Sequence, residues 1–425
     1  MAETGASPES LAAPSLTANA DPYEVLRNRD LLLYLIGRFV SSLGQQMLIV
    51  AVGWELYERT RSTLCLGLVG LTEMVPMVLL TLPAGHAADN FNRKRIIMLM
   101  TFLFACASAG LTLISAWQAP VIWIYVCLFM AGVARTFLWP ASSAFLPHLV
   151  PREKFSRAVA WSSGSFQLSS VVGPAVGGGL IRLVGHAAPV YAVNTVALLI
   201  CLLLISLIRR SHIVALKERM TLRNLVVGFQ FVFASPIILG TITLDLFAVL
   251  LGGATALLPV YAKDILHAGA GGLGLLQAAL PFGSLLCALI LAHRRPLQKA
   301  GRAMLTAVAF FGLATIGFGL SHWFWVSFFM LFVCGAVDNI SVVVRHTLVQ
   351  LLTPDEKRGR VSAVNSLFIG TSNELGGFES GLTAYLFTPV ISVVAGGVGT
   401  ILVVAAVALI WPQIRQYGRL DSSVD

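Results

Sequence analysis

Ionisable side chains interrupt long apolar runs of this 425-residue chain, and they are its best candidates for chemistry. A charge near the centre of a bilayer is costly, so an ionisable residue there usually has a function. Desolvation favours the neutral form of a carboxyl group, and a carboxyl group that gains and loses a proton can carry it across a membrane. The candidates, with the proton carriers first in order of preference, are Asp245, Glu374, Asp338, Glu73 and Glu379, followed by the cations Arg135, Arg38 and Arg345.

An internal repeat relates two of these charges. One constant shift aligns residues 132–163 with residues 335–366 without a gap, and it places Arg135 opposite Asp338. Equivalent positions of a pseudo-twofold bundle face the same central axis from opposite sides. The sequence therefore predicts that Arg135 and Asp338 face a shared cavity and can pair in one conformation. A static ion pair that only assists assembly is the alternative interpretation.

The spacing of the remaining charges also limits their roles. Glu374 and Glu379 lie about 140° apart around a helix, so they cannot both point squarely at one cavity. Asp245 and Arg38 lie at similar depths in the first runs of the two repeats. Arg345 lies nearer the end of its run, where a long side chain can extend toward the membrane surface.

The elements that would position these charges are membrane-spanning helices. The chain is 57% hydrophobic and only 12% charged, whereas a soluble protein carries about 25% charged residues. A helix needs about 20 apolar residues to cross a bilayer, and the sequence contains twelve such runs. They lie at 31–56, 64–88, 96–116, 120–146, 159–184, 188–208, 236–261, 271–292, 303–320, 323–346, 361–387 and 389–411.

The basic residues are concentrated on one side of these runs. Most of the 29 Lys and Arg residues fall in connections that share a side with residues 1–20, which predicts that both ends of the chain are cytoplasmic. The net charge of +9 is thereby explained by topology and by contact with anionic membrane lipids, and not by nucleic-acid binding. Residues 1–20 are small and polar, so we expect no cleavable signal peptide.

The patterns of other reactive side chains argue against enzymatic chemistry. The six cysteines lie in or beside apolar runs without a C-x-x-C pair, and the eight histidines form no ligand cluster. The chain contains no G-x-x-x-x-G-K-[ST] phosphate-binding loop, so ATP is not expected to drive it. We therefore predict that the protein is not an enzyme and uses no metal or other cofactor.

A short polar stretch between the second and third runs has a distinctive pattern. It contains Gly85, then Asp89 after three residues, and then the basic run Arg93-Lys94-Arg95. This spacing resembles the loop signature of the major facilitator superfamily, although Asn90 and Asn92 replace the usual Arg and Gly. Asn tolerates left-handed backbone better than other non-glycine residues, so the turn can still form. A plain basic loop is the alternative.

A second pattern lies in the fifth run. Its members Gly173, Pro174, Gly177 and Gly178 match the Gly-Pro-x-x-Gly-Gly core of a signature that is similar to that of antiporters in the superfamily, with Ser169 in place of an upstream Gly. Glycines let neighbouring helix backbones approach closely, and proline removes one helical hydrogen bond and allows bending. The run is therefore predicted to be a helix-packing motif, and a tight helix contact without a role in antiport is the alternative.

Together these features resemble a major facilitator transporter over residues 25–412, and within it the bacterial subgroup that contains the enterobactin exporter and drug-efflux proteins. The supporting segments are Asn28–Asp30, Ser41–Gly44, Leu82–Gly85, Asp245–Phe247, Leu257–Pro259 and Arg358–Val361. The resemblance implies an all-α membrane protein whose twelve transmembrane helices form two six-helix, pseudo-symmetric bundles. It also implies a monomer in the bacterial inner membrane that exports a small organic molecule, such as a siderophore, drug or metabolite, by alternating access and proton antiport.

The resemblance also assigns a conformational lock to the cytoplasmic loops. Asp89 would accept hydrogen bonds at the start of the eleventh span, near Arg360, because a helix N-terminus favours an anion. It would also pair with a cation of the loop 151–157, and these contacts would close the cytoplasmic side. The expected lock residues are Gly85, Asp89, Arg93, Lys94, Arg152, Arg157 and Arg360.

These expectations divide the chain into five segments. They are a cytoplasmic N-terminal tail (1–29), a first six-helix bundle (30–208), a cytoplasmic linker with an amphipathic helix (209–235), a second six-helix bundle (236–412) and a cytoplasmic C-terminal tail (413–425). An importer or facilitator of the same fold is the main alternative function, and a membrane sensor that does not transport is another. Aromatic residues among few charges favour an amphiphilic or aromatic substrate.

Overall fold

The computed structural model describes residues 23–209, 222–294 and 298–418, and these ranges are almost entirely helical. Much of both predicted tails and the centre of the predicted linker lie outside the described residues.

Six long helices form the first half of the chain. Their bounds are α1 Arg29–Thr60, α2 Thr63–Asn90, α3 Arg93–Ala116, α4 Ile122–Phe145, α5 Phe155–Val184 and α6 Ala188–Ser206. The N-cap of α1 is Asn28, whose side chain accepts hydrogen bonds from the backbone N–H groups of Asp30 (3.1 Å) and Leu31 (3.4 Å). The helix ends at Arg61, whose left-handed backbone (φ 52°) is typical of helix C-termini.

The second half contains six further long helices and three shorter ones. Their bounds are α7 Leu222–Ala234, α8 Pro236–Leu251, α9 Leu258–Val260, α10 Gly269–Ala292, α11 Ala300–Leu320, α12 Phe324–Leu352, α13 Asp355–Leu386, α14 Pro389–Ile410 and α15 Pro412–Gln416. The run predicted at 236–261 is broken, because α8 stops before Gly252 and Gly253, and glycine has a low helix propensity. The chain continues through a 3₁₀ turn and α9 into the π-helical turn Tyr261–Ile265.

The turn between α2 and α3 corrects the expectation for its two asparagines. The side-chain amide of Asn90, the last residue of α2, donates to the backbone carbonyl of His86 (2.8 Å). The backbone of Asn92 is extended (φ −62°, ψ 110°), and its side chain accepts a hydrogen bond from the N–H of Arg95 (3.3 Å). Asn92 is therefore the N-cap of α3, and the turn does not need left-handed backbone.

The two halves repeat one packing pattern. In the first half α1 packs against α5 and α6, α2 against α4, and α3 against α4 and α6. In the second half α8 packs against α13 and α14, α10 against α12, and α11 against α12 and α14. These pairs match in order when α1–α6 are related to α8 and α10–α14. The predicted pair of pseudo-symmetric six-helix bundles is confirmed.

One member of the second bundle is unusually polar. Among the described residues, eleven helical segments are long and apolar enough to cross a membrane, and α13 is the additional long helix of the bundle. It has the same length as α1, 32 residues, and packs against α2, α8 and α14. Its polar residues include the buried Asn365, the half-buried Glu374 and Glu379, and the exposed Asn373.

The short helix α7 falls within the predicted linker and packs on the beginning of α13. The ring of Phe229 lies 5.7 Å from the ring of Phe368, in an edge-to-face arrangement. The Lys357 ammonium group lies 5.1 Å from the ring centroid of Phe231, within the range of a cation–π contact. This part of the linker is therefore attached to the second bundle through aromatic contacts.

The two halves meet most closely at one end of the bundle. We call the end with the α2–α3 and α4–α5 connections the basic end, and the end with the α1–α2 and α5–α6 connections the far end. A Cβ atom added to Gly381 of α13 would lie 2.6 Å from the Cα of Gly67 of α2. A Cβ atom added to Gly178 of α5 would lie 2.8 Å from the Cα of Gly274 of α10. Both contacts lie in the far-end parts of their helices and leave no room for a side chain.

The same helices separate toward the basic end. In α5 only Ala158 is buried before Ser169, whereas seven residues are buried from Ser169 to Ile181. In α10, which the structure describes in full, eight residues are buried from Ala270 to Gly283 and none beyond Gly283. The space between the halves is therefore closed at the far end and open toward the basic end.

Candidate functional site

A cavity of about 500 Å³ lies between the two halves, near the middle of their helices. Much of its lining is aliphatic, including Leu66 and Val69 of α2 and Leu280 of α10. Both halves also contribute polar side chains. These are Gln46, Glu73, Arg135 and Ser170 from the first half and Thr255, Gln277, Asn373 and Glu374 from the second.

The first half contributes an ion pair to this cavity. The Arg135 guanidinium group on α4 contacts the Glu73 carboxylate on α2. Gly132 brings the two helices together, because a Cβ atom there would lie 2.8 Å from Cγ of Pro76 and 3.5 Å from the Cα of Glu73. Arg135 follows Gly132 by nearly one helical turn and so reaches Glu73.

This pairing differs from the one predicted between Arg135 and Asp338. In the described structure Arg135 pairs with Glu73, whereas Asp338 is half-buried on α12 and lies outside the cavity lining. The reason is the close approach of α4 to α2 within the first half, which places the Glu73 carboxylate in direct contact with Arg135. The symmetry-related positions are present, but they are not paired in this conformation.

Glu374 brings a carboxyl group to the cavity from the second half. It lies on α13 where the backbones of α2 and α13 meet, because a Cβ atom added to Gly70 would overlap with the carbonyl oxygen of Glu374. A side chain at position 70 would displace one of the two helices. Two acids and one cation, drawn from both halves, therefore share the cavity, and their positions depend on how the halves approach each other.

Asp245 lies elsewhere, in an ion pair inside the second half. Its carboxylate on α8 contacts the Arg345 guanidinium group on α12, and the two residues are only 7% and 3% exposed. The expectation that Arg345 extends toward the membrane surface is therefore wrong. A buried charge is stable only when it is paired, so this contact makes α8 and α12 depend on each other.

The two remaining charged candidates also lie outside the cavity lining. Arg38 is half-buried on α1, and the described residues include no ion pair for it. Glu379 accepts hydrogen bonds from the hydroxyl groups of Thr383 (2.8 Å) and Ser380 (3.5 Å). Glu374 and Glu379 thus face different surroundings, as their separation around the helix requires.

The glycine-rich run of α5 contacts helices of both halves. A Cβ atom on Gly173 would lie 2.5 Å from Cβ of Gln46, and one on Gly177 would lie 2.9 Å from the Cα of Met47, both on α1. Gly178 faces the other way, against α10, as described above. Pro174 lines the cavity between these contacts. One short run thus fixes α5 against its own bundle and against the partner bundle.

The basic residues after Asp89 bind within the first half. The Arg93 side chain donates to the carbonyl groups of Ala88 (3.1 Å) and Ala144 (3.3 Å) and contacts His148. The Lys94 ammonium group donates to two carbonyl groups at the end of α6 and just beyond it, at 2.9 and 2.6 Å. A Cβ atom added to Gly85 would have nothing within 4 Å. These contacts tie α3 to α4 and α6 and involve no residue of the second half.

Two of the cations expected near Asp89 pair with a different acid, Glu24. Glu24, in the short helical turn before α1, accepts a hydrogen bond from Lys154 (2.6 Å) and pairs with Arg157 (3.5 Å). Arg152 is exposed, and Arg360 is half-buried near the start of α13. Among the described residues, no ion pair or hydrogen bond joins Asp89 to Arg360 or to the loop 151–157. The lock expected from the sequence is not closed in this conformation.

Several cavity residues were not singled out from the sequence. Gln277 and Asn373 are neutral amides within apolar runs, and a lone amide is a weaker signal than a charge. The repeat itself contains a usable signal, because continuing its alignment relates Ser170 to Asn373, and both line the cavity. Gln46 is held by Ser170, to whose hydroxyl oxygen its amide donates (2.9 Å).

Nearly the whole chain matches known proteins in sequence. A family described as transmembrane secretion effector matches residues 21–423. The enterobactin exporter EntS of Shigella boydii serotype 4 is 27% identical over 391 residues, which cover 92% of this chain and 93% of that protein. EntS of Escherichia coli O1:K1 matches with the same identity and coverage.

Solved structures show the same fold at lower sequence identity. A bacterial homologue of the human lysosomal transporter Spinster, solved in an inward-facing and occupied conformation, has a TM-score of 0.72 and 15% identity and covers 93% of this chain and 99% of its own. A POT family transporter in complex with 5-aminolevulinic acid has a TM-score of 0.73 and 11% identity, with coverage of 91% and 97%. The two-bundle architecture is thus that of transporters.

Proposed function

The chain belongs to the transmembrane secretion effector family of the major facilitator superfamily, a family of transporters and not of enzymes, and we propose that it exports a small organic molecule by alternating access. The cavity between the two halves carries this proposal, because it is closed at the far end, opens toward the basic end and is lined by both bundles. Rocking of the halves about the cavity would expose it to the other side.

The orientation of the proposed cycle follows from the distribution of charge. The protein is a multi-pass membrane protein of the bacterial inner membrane. We place the basic end and both termini in the cytoplasm, because basic loops are retained on that side. The described conformation would then load substrate from the cytoplasm and release it at the far end.

Proton antiport is the energy source that the cavity supports best. We place the proton on Glu374, because it lines the cavity together with Glu73 and Arg135 while Asp245 is buried in a pair with Arg345. A substrate or a movement of the halves that alters the environment of Glu374 would change its affinity for a proton. Asp338, Glu379 and Arg38 are second-line candidates for the same pathway.

The lining indicates the class of substrate. Aliphatic walls with three amides, two hydroxyl groups and a compensated ion pair suit an amphiphilic molecule with several hydrogen-bonding groups. The relatives are named for export of enterobactin; for this chain we propose a siderophore, drug or metabolite of similar mixed polarity. A monomer is sufficient, because one chain provides both halves of the cavity.

The proposal is tested by comparing the metabolites in the medium of cells that lack the protein with those of cells that overproduce it. We expect at least one compound to rise in the medium with overproduction, and to do so only while the proton gradient is intact. Purified protein in proteoliposomes should then move that compound when a pH gradient is imposed. Accumulation inside cells that is insensitive to uncouplers would instead indicate an importer or facilitator.

A further inference from the structure

A cluster of five side chains closes the far end, outside the cavity. The last turn of α1 contributes Tyr57, Glu58 and Arg61, and the π-helical turn after α9 contributes Lys263 and Asp264. The Asp264 carboxylate accepts a hydrogen bond from the Tyr57 hydroxyl group and pairs with Arg61 (3.1 Å). The Lys263 ammonium group pairs with Glu58 (3.1 Å). Every one of these contacts joins the first half to the second.

The pairing is complementary in charge, because each half contributes both a cation and an acid. Lys263 is largely buried, because its side chain lies between Glu58 and Trp54, with its ammonium group 5.1 Å from the Trp54 ring centroid. Its partner Glu58 is 46% exposed, and Asp264 and Arg61 are 41% and 59% exposed. The cluster therefore consists of partly exposed ion pairs in which only the Lys263 side chain is largely sheltered.

Both sides of the cluster are attached firmly to their own bundles. On the first side, Arg59 pairs with the buried Glu55 (3.1 Å) and donates to the carbonyl group of Ala119, in the α3–α4 connection. On the second side, Tyr261 is fully buried and donates through its hydroxyl group to the carbonyl group of Gly319 (3.0 Å). Movement of one bundle relative to the other must therefore break the cluster and cannot be absorbed by a flexible loop.

We propose that Tyr57, Glu58, Arg61, Lys263 and Asp264 form a polar latch that holds the far end closed and must open before substrate can leave there. The latch rests on the proposed alternating-access function. The latch acts together with the glycine contacts, where the helix backbones pack closely but no charged groups meet. Partly exposed ion pairs are individually weak, so the latch can bias the equilibrium between the two conformations without fixing it.

The test measures distances across both ends of the full-length protein in lipid nanodiscs. Spin labels at Ser62 and His267 report on the far end, and labels at Glu153 and His293 report on the basic end, in a variant whose six native cysteines are replaced by alanine. We expect Lys263→Glu and Glu58→Lys each to raise the ratio of far-end-open to far-end-closed molecules by about two- to five-fold. The double variant Glu58→Lys with Lys263→Glu should restore the ratio of the parent protein.

Controls separate the latch from general effects of charge and from the transport proposal. Lys299→Glu reverses an exposed lysine at the basic end and should leave the far-end distance unchanged. If a single reversal does not fold, Tyr57→Phe and Arg61→Gln test the Asp264 side of the latch. Unchanged far-end distances in all of these variants, or a double variant that opens as much as the single ones, would overturn the latch. Far-end opening without shortening at the basic end would support the latch and contradict alternating access.

Discussion

The two ends of the interface between the bundles differ in which contacts join the halves, because glycine contacts and the polar latch both cross the far end. At the far end, Gly67 meets Gly381 and Gly178 meets Gly274 with backbone against backbone. At the basic end, the charged side chains Arg93, Lys94 and Arg157, which were expected to join the halves, bind within the first half. Backbone contacts of this kind depend on shape and have a single fit, whereas long charged side chains can exchange partners. In the described conformation the contacts between the halves are therefore concentrated at the far end, and the residues expected to close the basic end do not join the two halves.

The largest effect is expected when a side chain is placed in one of the glycine contacts at the far end. Gly178→Leu should destabilise the described conformation by about 1–3 kcal/mol or more, because its side chain would meet backbone atoms of α10. We expect loss of transport and an open far end in distance measurements. Gly179→Leu is a matched control one residue away, since nothing lies within 4 Å of the position of its Cβ atom. Equal damage from both substitutions would show that leucine anywhere in this run is harmful and that the contact is not special.

A smaller but more specific effect is expected at the centre. Glu374→Gln removes the proposed proton carrier and should reduce pH-driven transport at least tenfold, because a Gln side chain cannot gain or lose a proton. Exchange of substrate down its own gradient should persist in the same proteoliposomes. Glu356→Gln, at the exposed start of the same helix, is the control. Normal pH-driven transport by the Glu374→Gln variant, with a loss in Glu379→Gln, would transfer the role to Glu379.

At the basic end, Asp89→Asn should lower transport several-fold while the protein is still produced in normal amounts. The carboxylate is expected to reach the start of α13 only when the basic end closes, and an anion at a helix N-terminus contributes about 0.3–1 kcal/mol. Rates in proteoliposomes, compared with those of Glu153→Gln, provide the measurement. Unchanged rates would remove Asp89 from the lock.

The smallest effect is expected from the segment before α1. Glu24→Gln removes the carboxylate that pairs with Lys154 and Arg157 and should favour closure of the basic end, because these ion pairs are weakened. Partly exposed pairs of this type contribute about 0.2–1 kcal/mol each, so the shift should be at most about fivefold per pair. Spin-label distances across the basic end would detect it. A shift toward opening would show that Glu24 assists the lock and does not compete with it.

Much of the fold could be predicted because each helix that crosses the membrane needs a run of about 20 apolar residues. Apolar runs located the spans to within a few residues for most helices, and the repeat around Gly132 and Gly335 predicted the two bundles. The break after Leu251 was missed, since Gly252 and Gly253 lie within an apolar run that continues on both sides. A hydropathy pattern cannot show where an α-helix ends if the residues that follow it are also apolar.

The site was harder to predict. A sequence shows which residues are charged, but it does not show which neighbouring helix each charged side chain faces. Arg135 was identified, but its partner depends on the approach of α4 to α2 at Gly132, which only the packed structure shows. Arg345 was placed at the surface because it lies near the end of its run, yet Asp245 holds it inside. Pairing of this kind depends on how the helices pack. The internal repeat predicts only that equivalent side chains of the two halves face a common central axis.

During synthesis, α13 enters the bilayer with its amides and acids exposed to lipid unless the first bundle is already assembled to receive it. Polar groups in hydrocarbon are unfavourable without partners, and the highly apolar α14, which follows after two residues, can carry α13 in as a hairpin. Insertion of α13, one of the helices that line the cavity, is thus expected to depend on its neighbours. Substitutions in the surface of α2 that receives Gly381 are consequently expected to lower the amount of inserted protein as well as its transport.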